Sequence, residues 1–80
     1  MSTDNLEKYT EVFTSTFDIS AEQTKGLKYQ SIEAWDSVGH MGLVAALEDT
    51  FNIIMDPDDI IDMSSFEKGI EILKKYNIEL

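Results

Sequence analysis

The run Trp35-Asp36-Ser37-Val38-Gly39-His40 gathers the side chains of this chain most able to do chemistry. Asp36 and Ser37 are both good N-caps, so a helix is predicted to start at one or the other. A serine at the first position of a helix is exposed, with backbone N–H groups of the first turn pointing toward it. Helix starts favour negative groups, phosphate among them, which makes Ser37 a sensible point of attachment for a phosphodiester. A serine that merely caps its helix fits the same residues.

A hydrolytic use of the run is disfavoured. His40 lies three residues after Ser37 and could reach back along one helix face. Ser37-Val38-Gly39 also resembles the second half of a G-x-S-x-G elbow, but Trp35 stands where the leading glycine belongs and no strand pattern precedes it. A chain of 80 residues is short for the usual triad scaffold. His40 is therefore read as a solvent-facing histidine. A second cluster, Asp56, Asp58, Asp59 and Asp62, raises calcium binding. The EF-hand pattern needs glycine at its sixth position and a closing glutamate. Counted from Asp56, Glu67 does stand twelfth, but Ile60 and Ile61 occupy the fifth and sixth positions, where a ligand and the glycine belong, so no dedicated metal site is expected.

The elements that must position these residues read as helices. Leu6, Tyr9, Phe13 and Phe17 recur at helical spacing and predict a first helix from about Asp4 to Phe17, with Asp4 and Glu7 spaced as a capping box. A long connection follows, Asp18 to Asp36. Within it Ser20 to Gln23 form one short turn ended by Gly26, and Ile19, Leu27 and Ile32 pin the loop inward. The second helix runs to about Asn52, with Met41, Val44, Leu47 and Phe51 on one stripe and Leu43 beside it. Gly39 and Gly42 are poor helix residues, placed where close approach or loose packing would account for them.

Asp56-Pro57-Asp58-Asp59 announces a short third helix with proline at its first position, and Ile60, Ile61 and Met63 supply its apolar side. A last helix starts at Ser64 or Ser65, with Ser64 and Glu67 as a capping box and Phe66, Ile70 and Leu73 as its inner stripe. Lys74 and Lys75 complement its dipole. The expected fold is all-α: a small four-helix bundle of three main helices and one short one, a single domain over residues 1–80 with a long loop after the first helix.

Composition narrows function further. With no cysteine, disulfides, thiolate metal sites and cysteine nucleophiles are excluded, and any thiol must come from outside. Sixteen acids against six lysines give a net charge of −10. Between Lys28 and Lys68 there is no lysine or arginine, while nine of the acids fall there. That field repels nucleic acid and anionic membranes and steers the chain toward basic patches on other proteins. No run is long and apolar enough for a membrane, and Met1 to Lys8 lacks a signal pattern, so a cytoplasmic, monomeric protein is expected.

Asp36-Ser37 followed by hydrophobic Val38 resembles the acyl carrier protein family. Leu43-Val44-Ala45-Ala46-Leu47-Glu48-Asp49, closed by Phe51, is similar to that family's second helix. Asp56-Pro57-Asp58-Asp59 and Ser64-Ser65-Phe66 resemble the starts of its third and fourth helices, so the resemblance covers roughly Leu6 to Leu73. It implies that Ser37, preceded by Asp36, receives 4′-phosphopantetheine from coenzyme A through a phosphopantetheinyl transferase that commonly uses magnesium. The arm's thiol would carry an acyl cargo as a thioester, sheltered between the helices if short and apolar. By analogy, Val38, Ala45, Glu48, Asp49, Asp56 and Asp59 would face partners: a loading ligase or synthase and an acyltransferase with basic docking patches. The chain would be a carrier, not an enzyme. Gly39 and Gly42 stand where fatty-acid-synthesis carriers usually have acids, and Trp35 and His40 also depart from that pattern, which points to a specialised pathway. Glu33-Ala34-Trp35-Asp36 also differs from the L-G-G before the serine of many peptidyl carriers. The rival from another class is an unmodified acidic adaptor that binds a basic partner through its second and third helices.

Overall fold

The computed structural model describes residues 2–80. Four α-helices follow in order: α1 (Ser2–Phe17), α2 (Ser37–Phe51), α3 (Pro57–Asp62) and α4 (Phe66–Lys74), with a 3-10 turn at Ala21–Thr24 between the first two. The all-α bundle is thus observed, with one short helix and a long first connection. Among the described residues the extended pairing is limited to an isolated antiparallel bridge between Lys28 and Ser65. No helix of the described residues is long and apolar enough to cross a membrane.

The core is aromatic at its centre. Tyr9 and Phe13 of α1 and Trp35 of the loop are fully buried, with Phe17 and Phe66 against them. Phe13 meets Trp35 and Phe66 edge to face, with ring centroids 5.5 and 5.0 Å apart. Phe17 stacks on Trp35 at 5.4 Å. Such offset and edge-on geometries suit the ring quadrupoles and add to burial. Leu43, Val44 and Leu47 of α2, with Met55, Met63, Ile72 and Leu73, complete the apolar interior.

All four stripes differ in part from the expected ones. On α2 the buried face is Leu43, Val44 and Leu47, while Met41 is 57 % exposed and looks outward. Val44 and Leu47 keep their expected places, and Leu43 rather than Met41 completes the buried face. On α3, only two turns long, Ile60 faces in and Ile61 faces solvent. Leu6 lies at the exposed edge of α1, and Ile72 takes a deeper place on α4 than half-buried Ile70.

The caps also differ in detail. Asp4 lies inside the first turn of α1, not at a cap, because the helix begins at Ser2. The short turn is closed as expected, with the Ser20 backbone N–H donating to Gln23 Oε1 at 2.9 Å. Ser65, not Ser64, caps α4 and accepts from the Lys68 N–H at 2.9 Å. Glu67 is thereby free to reach the loop, where its Oε2 accepts from the Gly26 N–H at 3.1 Å.

The loop that carries Trp35 and Ser37 is tied at both ends. Tyr29 N–H donates to Ser64 O and Phe66 N–H to Leu27 O, both at 2.9 Å. Gln30 N–H donates to Trp35 O at 2.9 Å and Trp35 N–H to Ile32 O at 3.2 Å. Gln30 takes φ 66° to make this fold-back. Buried Leu27 and half-buried Ile19 and Ile32 pin the loop. Next to the Phe66 tie, the Tyr9 hydroxyl donates to Phe66 O at 2.6 Å. This hydroxyl lies where a Cβ on Gly69 would fall, which explains a glycine inside α4.

Candidate functional site

Ser37 is the first residue of α2 and is exposed. Its neighbour Asp36 is the cap: Oδ1 accepts from the Gly39 N–H at 2.8 Å. Of the two residues that could have capped the helix, the acid does so, and the serine hydroxyl is left for other partners. That hydroxyl lies 3.1 Å from the Tyr29 hydroxyl. Gly39 is needed where it stands, because a Cβ there would overlap the Ala34 carbonyl oxygen. Gly42 is different, with nothing within 4 Å of a built Cβ. Close approach therefore explains the first glycine and not the second.

Beside Ser37 opens a groove of about 390 Å³ between α2 and α3. Its walls are mostly apolar: Met41 from α2, Ile60 and Ile61 from α3, and Met63 just after it. The rings of Tyr29 and His40 and the hydroxyls of Ser37 and Ser64 complete the lining. A volume near the lower end of the usual range for small-molecule sites, about 300–1,000 Å³, suits a small apolar group.

His40 is not the solvent-facing histidine expected from sequence. It is half-buried and bonded at both ring nitrogens. The Trp35 indole N–H donates to Nδ1 at 2.9 Å, so the proton must sit on Nε2, which donates to Ile60 O at 2.7 Å. Ile60 O is one of the last four carbonyls of α3, left without an intrahelical donor by helix geometry. His40 thus fastens the buried Trp35, α2 and the end of α3 together. Its ring lies nearly parallel to the indole, at 14° and 6.1 Å. Neither nitrogen faces Ser37, so the pair does not form a nucleophile and base.

The signal for this link was present in the spacing. With Asp36 as cap, Trp35 and His40 occupy the two positions of a hydrophobic staple, the residue before the cap and the fourth helical residue. A histidine at the second position adds a hydrogen bond to the packing.

Of the residues expected to face partners, Val38 is 81 % exposed, and Ala45, Asp49 and Asp56 are also exposed. Glu48 is half-buried, and its Oε2 accepts from the Met55 N–H at 2.9 Å, fastening the loop after α2. Asp59 is a correction: it is buried, and its carboxylate is bound by Lys75 and by the Tyr76 hydroxyl at 2.6 Å. The hydrogen bond from Lys75, then that from Tyr76, holds the Asp59 carboxyl below the usual range. The same contact with Asp59 raises the Lys75 ammonium and the Tyr76 phenol. Tyr76 also accepts from the Asp56 N–H at 2.8 Å, so the start of α3 is held to the chain end. Asp59 is thus a structural clasp, while Asp56, Asp58 and Asp62 remain exposed. Among the described residues no three acidic or imidazole groups come together as metal ligands.

No family model, curated protein or solved structure matches the chain. What can be said of function therefore rests on the residues and their arrangement.

Proposed function

We propose that this chain is a carrier that holds an acyl cargo as a thioester on a 4′-phosphopantetheine arm attached to Ser37, in a specialised pathway. The observation that carries the proposal is an exposed serine hydroxyl at the start of α2, on the rim of an apolar groove of about 390 Å³. The residues fit the group. Ser37 Oγ would attack the pyrophosphate of coenzyme A, giving up its proton and forming the phosphodiester to the arm as the P–O–P bond breaks and 3′,5′-ADP leaves. The first turn of α2 offers backbone N–H groups to the phosphate. The Tyr29 hydroxyl, 3.1 Å from Ser37 Oγ, is placed to donate to an oxygen there. The arm would supply the thiol that the chain itself lacks, since it has no cysteine.

Asp36 keeps the start of α2 in place through its bond to Gly39 N–H. The outward face of α2 presents Val38, Met41 and Ala45 with Asp49 beyond them. An apolar strip with an acidic flank suits a transferase, a loading ligase or an acyltransferase whose surface is apolar and basic. A tether raises the concentration of cargo at each such partner.

The same face also favours the second reading, an unmodified acidic adaptor, which needs α2 but not the Ser37 hydroxyl. Intact mass separates the two. The protein is incubated with coenzyme A, magnesium and a broad-specificity phosphopantetheinyl transferase, beside Ser37→Ala. A gain of one phosphopantetheinyl group in the parent alone supports the carrier. No gain in a folded parent makes the adaptor the leading function.

A further inference from the structure

His40 lines the groove and stands between it and the buried Trp35. The imidazole lines the cavity, while the indole of Trp35 does not. Trp35 is fully buried behind it, nearly coplanar with it and joined edge to edge by the 2.9 Å bond to Nδ1. On its other side the ring is fixed by Ile60 O at 2.7 Å. Beyond Trp35 the interior is filled by Phe13 and Phe17, at 5.5 and 5.4 Å from the indole. A chain entering from Ser37 therefore meets a hydrogen-bonded ring and then a packed aromatic cluster. Interiors packed in this way do not yield to an inserted chain without cost.

The walls speak to charge as well. All residues lining the groove lie between Tyr29 and Ser64, within the stretch that has no lysine or arginine. A cargo ending in a carboxylate would be desolvated against Met41, Ile60 and Met63 with no counter-ion, beside an acidic surface. An uncharged cargo has no such cost. At about 30 Å³ per water-sized group, 390 Å³ holds about 13 such groups, the end of the arm included.

We propose that His40, held between Trp35 and Ile60, sets the depth of the groove and so limits sheltered cargo to an uncharged acyl or aryl group of up to about ten heavy atoms. His40 is a specificity-determining residue in this scheme. It touches the far end of the cargo, not the thioester. The proposal rests on the carrier function given above, and its test is built so that the two can fail separately.

Ser37 is loaded in one step with acyl-pantetheine arms from straight-chain acyl-coenzyme A of two to sixteen carbons, and with one dicarboxylic acyl group. Cleavage of each thioester by hydroxylamine is then timed in the parent, in His40→Ala and in Met41→Trp. In the parent, each sheltered methylene should slow cleavage by up to about fourfold. The trend should stop near eight carbons, and the dicarboxylic cargo should show none. His40→Ala opens the way to the indole and should move the break to longer chains. Met41→Trp, at a side chain 57 % exposed, fills the groove without disturbing the core. It should move the break to shorter chains, and it decides the matter if His40→Ala does not fold. Protection that climbs without a break to sixteen carbons overturns the proposal, as does an unchanged break in both folded variants.

If Ser37 accepts no arm, the carrier function fails but the groove can still be judged. Free N-acetylcysteamine thioesters of the same acids are titrated against the unmodified protein, with the chain's single tryptophan, Trp35, as fluorescent reporter. Binding that strengthens to the same length and then levels supports the depth limit. Binding at no length, or binding indifferent to length, refutes it.

Discussion

Gly39 and Gly42 stand three residues apart in one helix and should respond to alanine with opposite signs. In a helix interior alanine is worth about 0.5–1 kcal/mol over glycine. Gly42 is exposed and has open space where its Cβ would go, so Gly42→Ala should gain that amount. At Gly39 the added carbon would overlap the Ala34 carbonyl oxygen and come within 3.1 Å of its carbon and 3.4 Å of Asp36 Oδ1. Those neighbours are backbone and a capping carboxylate, so relief requires the loop or the helix start to move. Overpacking of this kind costs about 1–3 kcal/mol, and a weakened Asp36 cap adds about 1 kcal/mol. Against a propensity gain of at most about 1 kcal/mol, the net effect of Gly39→Ala is a loss of about 1–3 kcal/mol. In a domain of this size each kcal/mol moves the midpoint by about 4–8 °C. Thermal and urea unfolding of both variants provide the check. A Gly39→Ala protein as stable as the parent would refute the close approach, and a destabilised Gly42→Ala would show that the open face is occupied.

Asp36→Ala should cost about 1 kcal/mol through loss of the cap. Ser37→Ala should leave the unfolding midpoint nearly unchanged while abolishing arm attachment, since the serine is not the cap; urea titration and intact mass read the two effects. Tyr9→Phe should cost about 1 kcal/mol by removing the bond to Phe66 O. It should also soften Gly69→Ala, whose Cβ would collide with that same hydroxyl, so a double-mutant cycle should show coupling well above experimental error. Asp59 has a carboxyl held low by Lys75 and Tyr76, so its share of stability is present above the unfolded aspartate value, near about 3.9, and is lost as pH falls through the lower folded one. Lys75, raised by the same contact, contributes below the ordinary lysine value and loses its share as pH climbs through the raised one. Asp59→Asn should therefore flatten the acid limb of the stability profile, measured as unfolding midpoint from pH 2 to 7. An unaltered limb would remove the clasp from the account.

Much of the architecture was legible because it depends on local chemistry. The Asp56-Pro57 start, the aromatic repeat of Tyr9, Phe13 and Phe17, and the Asp36-Ser37 helix start are each written within a few residues. What failed to show was long-range. That Met41 and not Leu43 looks outward follows from what α2 packs against, not from its own period. Asp59 looked like one more exposed acid until Lys75 and Tyr76, sixteen and seventeen residues on, took its oxygens. His40 was misread as solvent-facing, because nothing in its own helix shows that both ring nitrogens are taken. Its true partners are an indole before the cap and a carbonyl twenty residues away.

The Tyr9 to Phe66 bond joins residues 57 positions apart. Closing so long a loop is entropically costly and is repaid only when α4 docks. The latch should therefore form after the transition state for folding, with α1 and α2 already paired. Interactions made that late leave the folding rate alone and act on the escape rate. How long this small acidic bundle survives between unfolding events accordingly depends on a contact between its first helix and its last, which bears no part of the cargo.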